Sequence, residues 1–255
     1  MSRAFWKGVI SFGMVAIPVK MSTATENKTP SFHYLHKKCL TRPKQILYCP
    51  IDDEYFSTKE TVRGYEYSKG QHVVFEEEEL DKIPLRSAHS IDISSFVNEK
   101  EIDIIYYIGS HYLEPEELGT KPFHLLKTVL EKKGLVGIAK VTFQRREHLC
   151  CLRPMDNIMV LHTLHYKQDI LPVSESIPSE KKASAAELEM ASKLVDVMTG
   201  TFKPEEFHDG YALVLQKLVD AKLKGVEVKV PEIPEIEIKD LMTALKESVA
   251  AAGKR

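Results

Sequence analysis

Four side chains able to bind a metal fall in two pairs, His36-x2-Cys39 and Cys49-x2-Asp52, separated by a short loop. A structural zinc site is built mainly from cysteine, in Cys-x2-Cys pairs. Here one pair opens on a histidine and the other ends on a carboxylate. The expectation is therefore a basic surface loop carrying ordinary thiols, with no metal. Cys150 and Cys151 are adjacent. On a strand they would point to opposite faces, which buries at least one as an inert thiol.

Catalytic machinery does not stand out from this background. The chain has no Gly-x4-Gly-Lys-Ser/Thr, no Gly-x-Gly-x-x-Gly after a strand, no Gly-x-Ser-x-Gly and no His-Glu-x-x-His. His162 and His165 sit at a spacing that sends them to opposite faces of an expected strand. The run Glu76-Glu77-Glu78-Glu79 reads as a solvated or dipole-favoured cap at a turn or helix start. No catalytic residue and no cofactor are expected.

The remaining polar features are basic. Lys37, Lys38, Arg42 and Lys44 lie in a segment without an acid between Glu26 and Asp52, and His33, Tyr34, His36 and Tyr48 interleave among them. That mixture suits a nucleic acid, although a solvated loop would look the same. Arg145 and Arg146 follow an expected strand, so their guanidinium groups either reach phosphate oxygens or pair with Glu147 or Asp156. Lys7 and Lys20 are second choices, since the apolar run between them could turn them away.

Net charge hides this pattern. The 255 residues sum to −2, yet residues 1–51 carry eight bases against one acid and residues 132–167 carry seven against two. The intervening 52–131 hold eight bases and eighteen acids. Such a chain can line a positive interior surface beneath an acidic exterior, or neutralise one block with the other. With 43% hydrophobic and 28% charged residues it is a globular chain with a real core, and its cysteine usage suits a reducing cytosol. The uncharged run 8–19 follows Arg3 and Lys7 as in an export signal. It is too short to span a bilayer and contains Gly13 and Pro18, so it reads as a buried strand or hairpin.

The elements that must position these groups are mainly strands as far as residue 166. Residues 71–75, 89–97, 137–143 and 158–166 read as strands, with Ile91, Ile93 and Val97 sharing a face. Residues 103–108 form an apolar run suited to burial on both faces. A helix over 121–133 places Phe123, Leu126 and Leu130 together and stops at Gly134. Beyond 166 the pattern turns helical. Ser184-Ala-Ala-Glu187 is a capping box opening a helix that Gly200 marks off, and 210–224 form another, with Leu215, Leu218 and Leu223 inward. Pro231 and Pro234 impose an extended linker, and 239–252 make a last amphipathic helix.

Residues 3–20, Arg-Ala-Phe-Trp-Lys-Gly-Val-Ile-Ser-Phe-Gly-Met-Val-Ala-Ile-Pro-Val-Lys, resemble the opening signature of the bacterial Ku family. Further blocks resemble it in order: Ser31-Phe-His-Tyr-Leu-His36, Gly64-Tyr-Glu-Tyr67, Glu101-Ile-Asp103, Gly137-Ile-Ala-Lys140, Arg145-Arg-Glu-His-Leu149 and Leu152-Arg-Pro154. Phe202, Pro204, His208 and Tyr211 continue the series, and their ordered succession is specific where each alone would be weak.

The resemblance implies an α+β, mainly β fold: a β-barrel core with a bridge over residues 1–170, a helical arm over 171–228, and a linker with a short helix over 229–255. It implies a non-catalytic homodimer that binds the ends of DNA double-strand breaks in non-homologous end joining. Such a dimer encircles linear duplex DNA and recruits an ATP-dependent DNA ligase, in the cytoplasm and at the nucleoid. Lys37, Lys38, Arg42, Lys44, Arg145 and Arg146, then Lys7 and Lys20, become the expected phosphate contacts. Leu194, Met198 and Leu218 become dimer contacts or intramolecular packing, and Leu241, Leu245 and Val249 a ligase-docking face. Neither a von Willebrand-like domain ahead of Arg3 nor a long lysine-rich tail is expected. The rival is a monomeric, sequence-tolerant nucleic-acid-binding barrel.

Overall fold

The computed structural model describes residues 3–83, 89–173, 183–226 and 241–252. The chain divides into two compact units, Met1–Pro172 and Val173–Arg255.

The first unit opens with the hairpin β1 (Trp6–Phe12) and β2 (Val15–Thr23), so the uncharged N-terminal run is the strand pair expected of it. Gly8 is required there, because a Cβ would sit 2.3 Å from the His89 carbonyl oxygen and 2.4 Å from the Trp6 ring. The chain then forms two short ribbons, β3 (Leu47–Cys49) with β4 (Glu54–Phe56) and β5 (Arg63–Ser68) with β6 (Gln71–Phe75), followed by α1 (Glu77–Asp81). It rejoins the sheet at β7 (Ser90–Asn98) and continues through β8 (Tyr107–Pro115), α2 (Thr120–Lys133), β9 (Leu135–Phe143), β10 (Arg146–Met155) and β11 (Ile158–Leu164). Seven strands close in the order β1-β2-β8-β11-β10-β9-β7, the seam being a parallel pairing of β1 with β7 at Val9↔Ser90, Ile10↔Ile91 and Ser11↔Asp92. Closure leaves the barrel itself without an unpaired edge.

The interior is apolar. Ile10, Ile17, Met21, Leu113, Leu152, Met159 and Leu161 fill it, and α2 presses Phe123, Leu126 and Leu130 into the same cluster. Each such side chain contributes about 1.5–3 kcal/mol on burial. Gly134 caps α2 in the left-handed conformation at φ 63°, as the sequence predicts. The single tryptophan buries its ring, and its indole N–H donates to the Thr142 carbonyl at 3.0 Å. Cys150 belongs to this interior and Cys151 to a smaller cluster on the opposite face, with Val136 and Leu164. Both thiols are fully buried, and burial pushes both up, Cys151 to about 11.

Three local expectations need correction. A bulge between Ile93 and Ser95 inserts an extra residue, so Ile93 packs on the interior whereas Val97 packs on the outer cluster. Residues 103–108 are not a doubly buried strand. The Asp103 carboxylate accepts from the Ile105 amide and starts a 3-10 turn that leaves Ile104 and Ile105 exposed, and Ile108, already in β8, is exposed as well. β11 ends at Leu164, so His165 lies beyond the strand, whereas the His162 ring shares a 2.9 Å hydrogen bond with Ser110.

The second unit contains α3 (Ala185–Met198), α4 (Gly210–Leu223) and α5 (Leu241–Ala252). Ser184 and Glu187 form the expected capping box, with the Ser184 amide donating to Glu187 Oε2 at 2.7 Å. α5 packs on α3. No residue of α3 or α4 is fully buried, and Leu223, expected to point inward, is 81% exposed because it sits in the last turn of its helix. The proline linker around Pro231 and Pro234 lies outside the described residues.

Candidate nucleic-acid interface

Residues 24–83 leave the barrel after β2 and return at β7, and none of them is buried. Neither ribbon pairs with a barrel strand. This excursion carries the basic cluster. Its first part is organised by a tight turn in which the His36 amide donates to the Thr41 carbonyl at 2.9 Å and the Leu40 amide to the His36 carbonyl at 2.7 Å. Lys37 and Lys38 ride on that turn, and Arg42 and Lys44 follow it. All four are exposed, and none forms an ion pair among the described residues.

The other predicted cations are placed differently. Lys7 pairs with Glu116 at 3.7 Å, and Lys20, half-buried on β2, stands in register between Lys7 and Glu114. Arg145 sits in the two-residue turn joining β9 to β10, where Gln144 and Arg145 have φ of 52° and 60°. Its guanidinium grips Glu77 at 2.7 Å and Asp81 at 3.3 Å. Glu77 also accepts from Arg63 at 2.8 Å, and the two arginines, Arg145 foremost, hold its carboxyl below the usual range. Arg145 therefore takes the ion-pair alternative, with partners other than Glu147 or Asp156. Arg146, the first residue of β10, is exposed and forms no ion pair among the described residues.

Sequence reasoning missed Glu77 and Asp81 as anchors of the excursion. The run of glutamates does begin a helix as a cap, but its partner Arg145 is 68 residues away and no spacing rule connects them. The two candidate metal pairs stay separate: His36 Nδ1 lies 3.1 Å from Cys39 Sγ, and the Cys49 thiol donates to Asp52 at 3.1 Å. Among the described residues no three metal-ligating side chains gather. Hydrogen bonds from Thr41, then the His36 ring, lower the Cys39 thiol to about 7.

A cavity of about 550 Å³ is lined by His111, Phe143, Arg146, His148, His165 and Tyr166 among others. The His148 ring stacks on Phe143 with centroids 4.2 Å apart, and His111 meets Phe143 edge-on at 5.5 Å. Burial holds both imidazoles below their ordinary value, with His148 adding to the effect at His111 and Arg146 at His148. Of the candidate docking residues, Leu194, Leu218, Leu245 and Val249 are half-buried, while Met198 is 72% and Leu241 57% exposed.

Residues 11–190 match the Ku70/Ku80 beta-barrel domain. A protein of Solibacter usitatus named non-homologous end joining protein Ku is 40% identical over 256 residues, covering 100% of this chain and 96% of its own. A protein of the same name from Archaeoglobus fulgidus is 40% identical over 252 residues, covering 98% and 99%, and one from Koribacter versatilis is 38% identical over 254 residues, covering 98% and 87%. A closed barrel interrupted by an exposed excursion that carries an acid-free run of cations, matched along its whole length by these relatives, places the chain in the Ku family.

Proposed function

We propose that this chain binds the ends of DNA double-strand breaks in non-homologous end joining, as a homodimer that encircles linear duplex DNA. The observation that carries the reading is the set Lys37, Lys38, Arg42 and Lys44, exposed on an excursion with no buried residue and left without an acidic partner among the described residues. Cations that satisfy nothing within the fold are free to displace counterions from phosphates, a contact that ignores sequence. Arg146 joins this set. Arg145 contributes indirectly, by fastening the excursion to the barrel.

Self-association is supported by α3 and α4, which bury no residue and leave Val195, Met198, Tyr211 and Leu213 exposed. We assign dimer contacts to Leu194, Met198 and Leu218. Two-fold symmetry would then bring two copies of the Lys37, Lys38, Arg42 and Lys44 cluster to one duplex. An ATP-dependent DNA ligase is the proposed further partner. With α5 packed on α3, the exposed Leu241 is its contact point in preference to Leu245 and Val249. The protein acts without catalysis, at the nucleoid in the cytoplasm. Among the described residues no helix is long and apolar enough to cross a membrane.

The decisive experiment compares a linear duplex with a covalently closed circle of the same sequence. The ring predicts retention on the linear form and loss from the circle, and sedimentation of a two-protomer particle. Equal affinity for both forms, by a single protomer, replaces the ring with a monomeric sequence-tolerant barrel.

A further inference from the structure

Arg63 opens β5 opposite Phe75, the last residue of β6, and Glu77 follows two residues later at the start of α1. Arg145 reaches the same carboxylate from the turn between β9 and β10. The two guanidinium groups take one oxygen each. Arg63 Nε donates to Glu77 Oε1 at 2.8 Å and Arg145 Nη1 to Glu77 Oε2 at 2.7 Å, while Arg145 Nη2 stands 3.3 Å from Asp81. All four side chains stay more than half exposed, between 55% and 65%. Ion pairs this open to water add little to the stability of a fold, so the scaffold can give this one up.

A carboxylate carries two equivalent, charge-bearing oxygens on a single atom. So does a phosphodiester, whose two non-bridging oxygens accept from guanidinium groups in the same way. The acids are also out of place for a segment that meets DNA: Glu76, Glu77, Glu78, Glu79 and Asp81 crowd the end of the excursion that rejoins the barrel, where carboxylates repel a polyanion. Resting on the end-binding reading above, we propose that Arg63 and Arg145 form a phosphate subsite for the DNA backbone, which Glu77 fills in the free protein and vacates when duplex is bound. Arg63 thereby joins the contacts to DNA. Arg145 has two states, tying down the excursion without DNA and holding a phosphate with it. The exchange replaces one anion by another and makes no demand on base sequence. Glu77 is then a competitor of DNA, and its removal strengthens binding, the opposite of what a merely structural ion pair gives.

The test compares Glu77→Gln with Glu78→Gln. Glu78 is an exposed neighbour that forms no ion pair among the described residues, so the second variant removes the same charge without freeing an arginine. Affinity of each for one blunt linear duplex is measured over a salt series. Glu77→Gln should bind about three- to tenfold more tightly than Glu78→Gln, the scale of two exposed ion pairs. Its logarithmic salt slope should be steeper by about 1–2 per protomer, one for each guanidinium released. In a chain that also carries Arg63→Ala and Arg145→Ala the two glutamine variants should bind alike, which assigns the gain to the arginines rather than to general repulsion. All the substituted positions are exposed, and circular dichroism verifies the fold of each variant.

Equal affinity of the two glutamine variants overturns the subsite while end binding stands. Weaker binding by Glu77→Gln also overturns it, because the carboxylate would then serve to hold the excursion in its binding shape. A gain that persists without the two arginines does the same. Failure of the wild type to prefer linear duplex over a closed circle overturns the end-binding reading, and the subsite with it.

Discussion

The barrel and the excursion that leaves it between β2 and β7 are opposite solutions written in one chain. In the barrel and the helix packed on it, buried groups are placed by the fold: the Trp6 indole meets a carbonyl, Lys127 the carboxylate of Glu131, and Cys150 and Cys151 apolar walls, while one ring nitrogen each of His111, His148 and His162 is buried without a hydrogen bond among the described residues. Across residues 24–83 nothing is buried, aromatic rings face water, and four cations have no acid within ion-pair distance among the described residues. The difference teaches where stability and recognition reside. An apolar core holds a shape, and the segment that stability can spare presents the charges.

The sharpest contrast comes from deleting one large side chain in each region. Phe123→Ala, at a fully buried site, should cost about 3–5 kcal/mol in urea unfolding. Ile51→Ala, at a site 90% exposed, should stay within about 0.5 kcal/mol. A similar loss at both positions would break the comparison.

Charge deletion should do the reverse. Replacing Lys37, Lys38, Arg42 and Lys44 by alanine should weaken linear-duplex binding about a hundredfold at moderate salt and make the logarithmic salt slope shallower by about 3–4 per protomer. The melting temperature should barely move. Fluorescence anisotropy over a salt series checks the first two outcomes and thermal denaturation the third.

Acid should find the barrel before it finds the excursion. The folded chain holds His111 and His148 below the ordinary imidazole value of 6.5. The unfolded chain then binds more protons below that value, so their contribution is complete above about pH 6.5 and is lost as pH falls through the folded values. Unfolding followed from pH 7.5 to pH 5 should show this decline, and H111F combined with H148F should flatten it.

The smallest effect is expected at the tether. Arg145→Ala releases Glu77 and Asp81, both exposed, so global stability should hardly change. Limited proteolysis within residues 24–83 should nonetheless become severalfold faster. Unchanged cleavage would mean that Arg145 does not fasten the excursion.

Much of this could be read from the residues themselves wherever the signal is local. The periodicity of Phe123, Leu126 and Leu130 with Gly134 behind them, the strand at Gln71–Phe75 and the Ser184 capping box are all borne out, because each depends on neighbours a few residues away. The bulge at Ser94 is marked by no special residue type and flips Val97 to the other face. Ile104 and Ile105 look like core residues, and an aspartate before them redirects the chain. At the site the unpaired cations were legible as a block free of acids. The commitment of Arg145 to Glu77 was not, since it joins segments that only closure of the barrel brings together.

The parallel seam between β1 and β7 has an evolutionary consequence. It makes everything from Ala24 to His89 a single loop whose ends are pinned by a finished sheet. The entropy of pinning a flexible loop grows only with the logarithm of its length, about 0.6 kcal/mol for each doubling. Insertions and deletions in this stretch are therefore nearly neutral for the scaffold, and selection can refit its span to different cargo while the strands that close the seam stay unchanged.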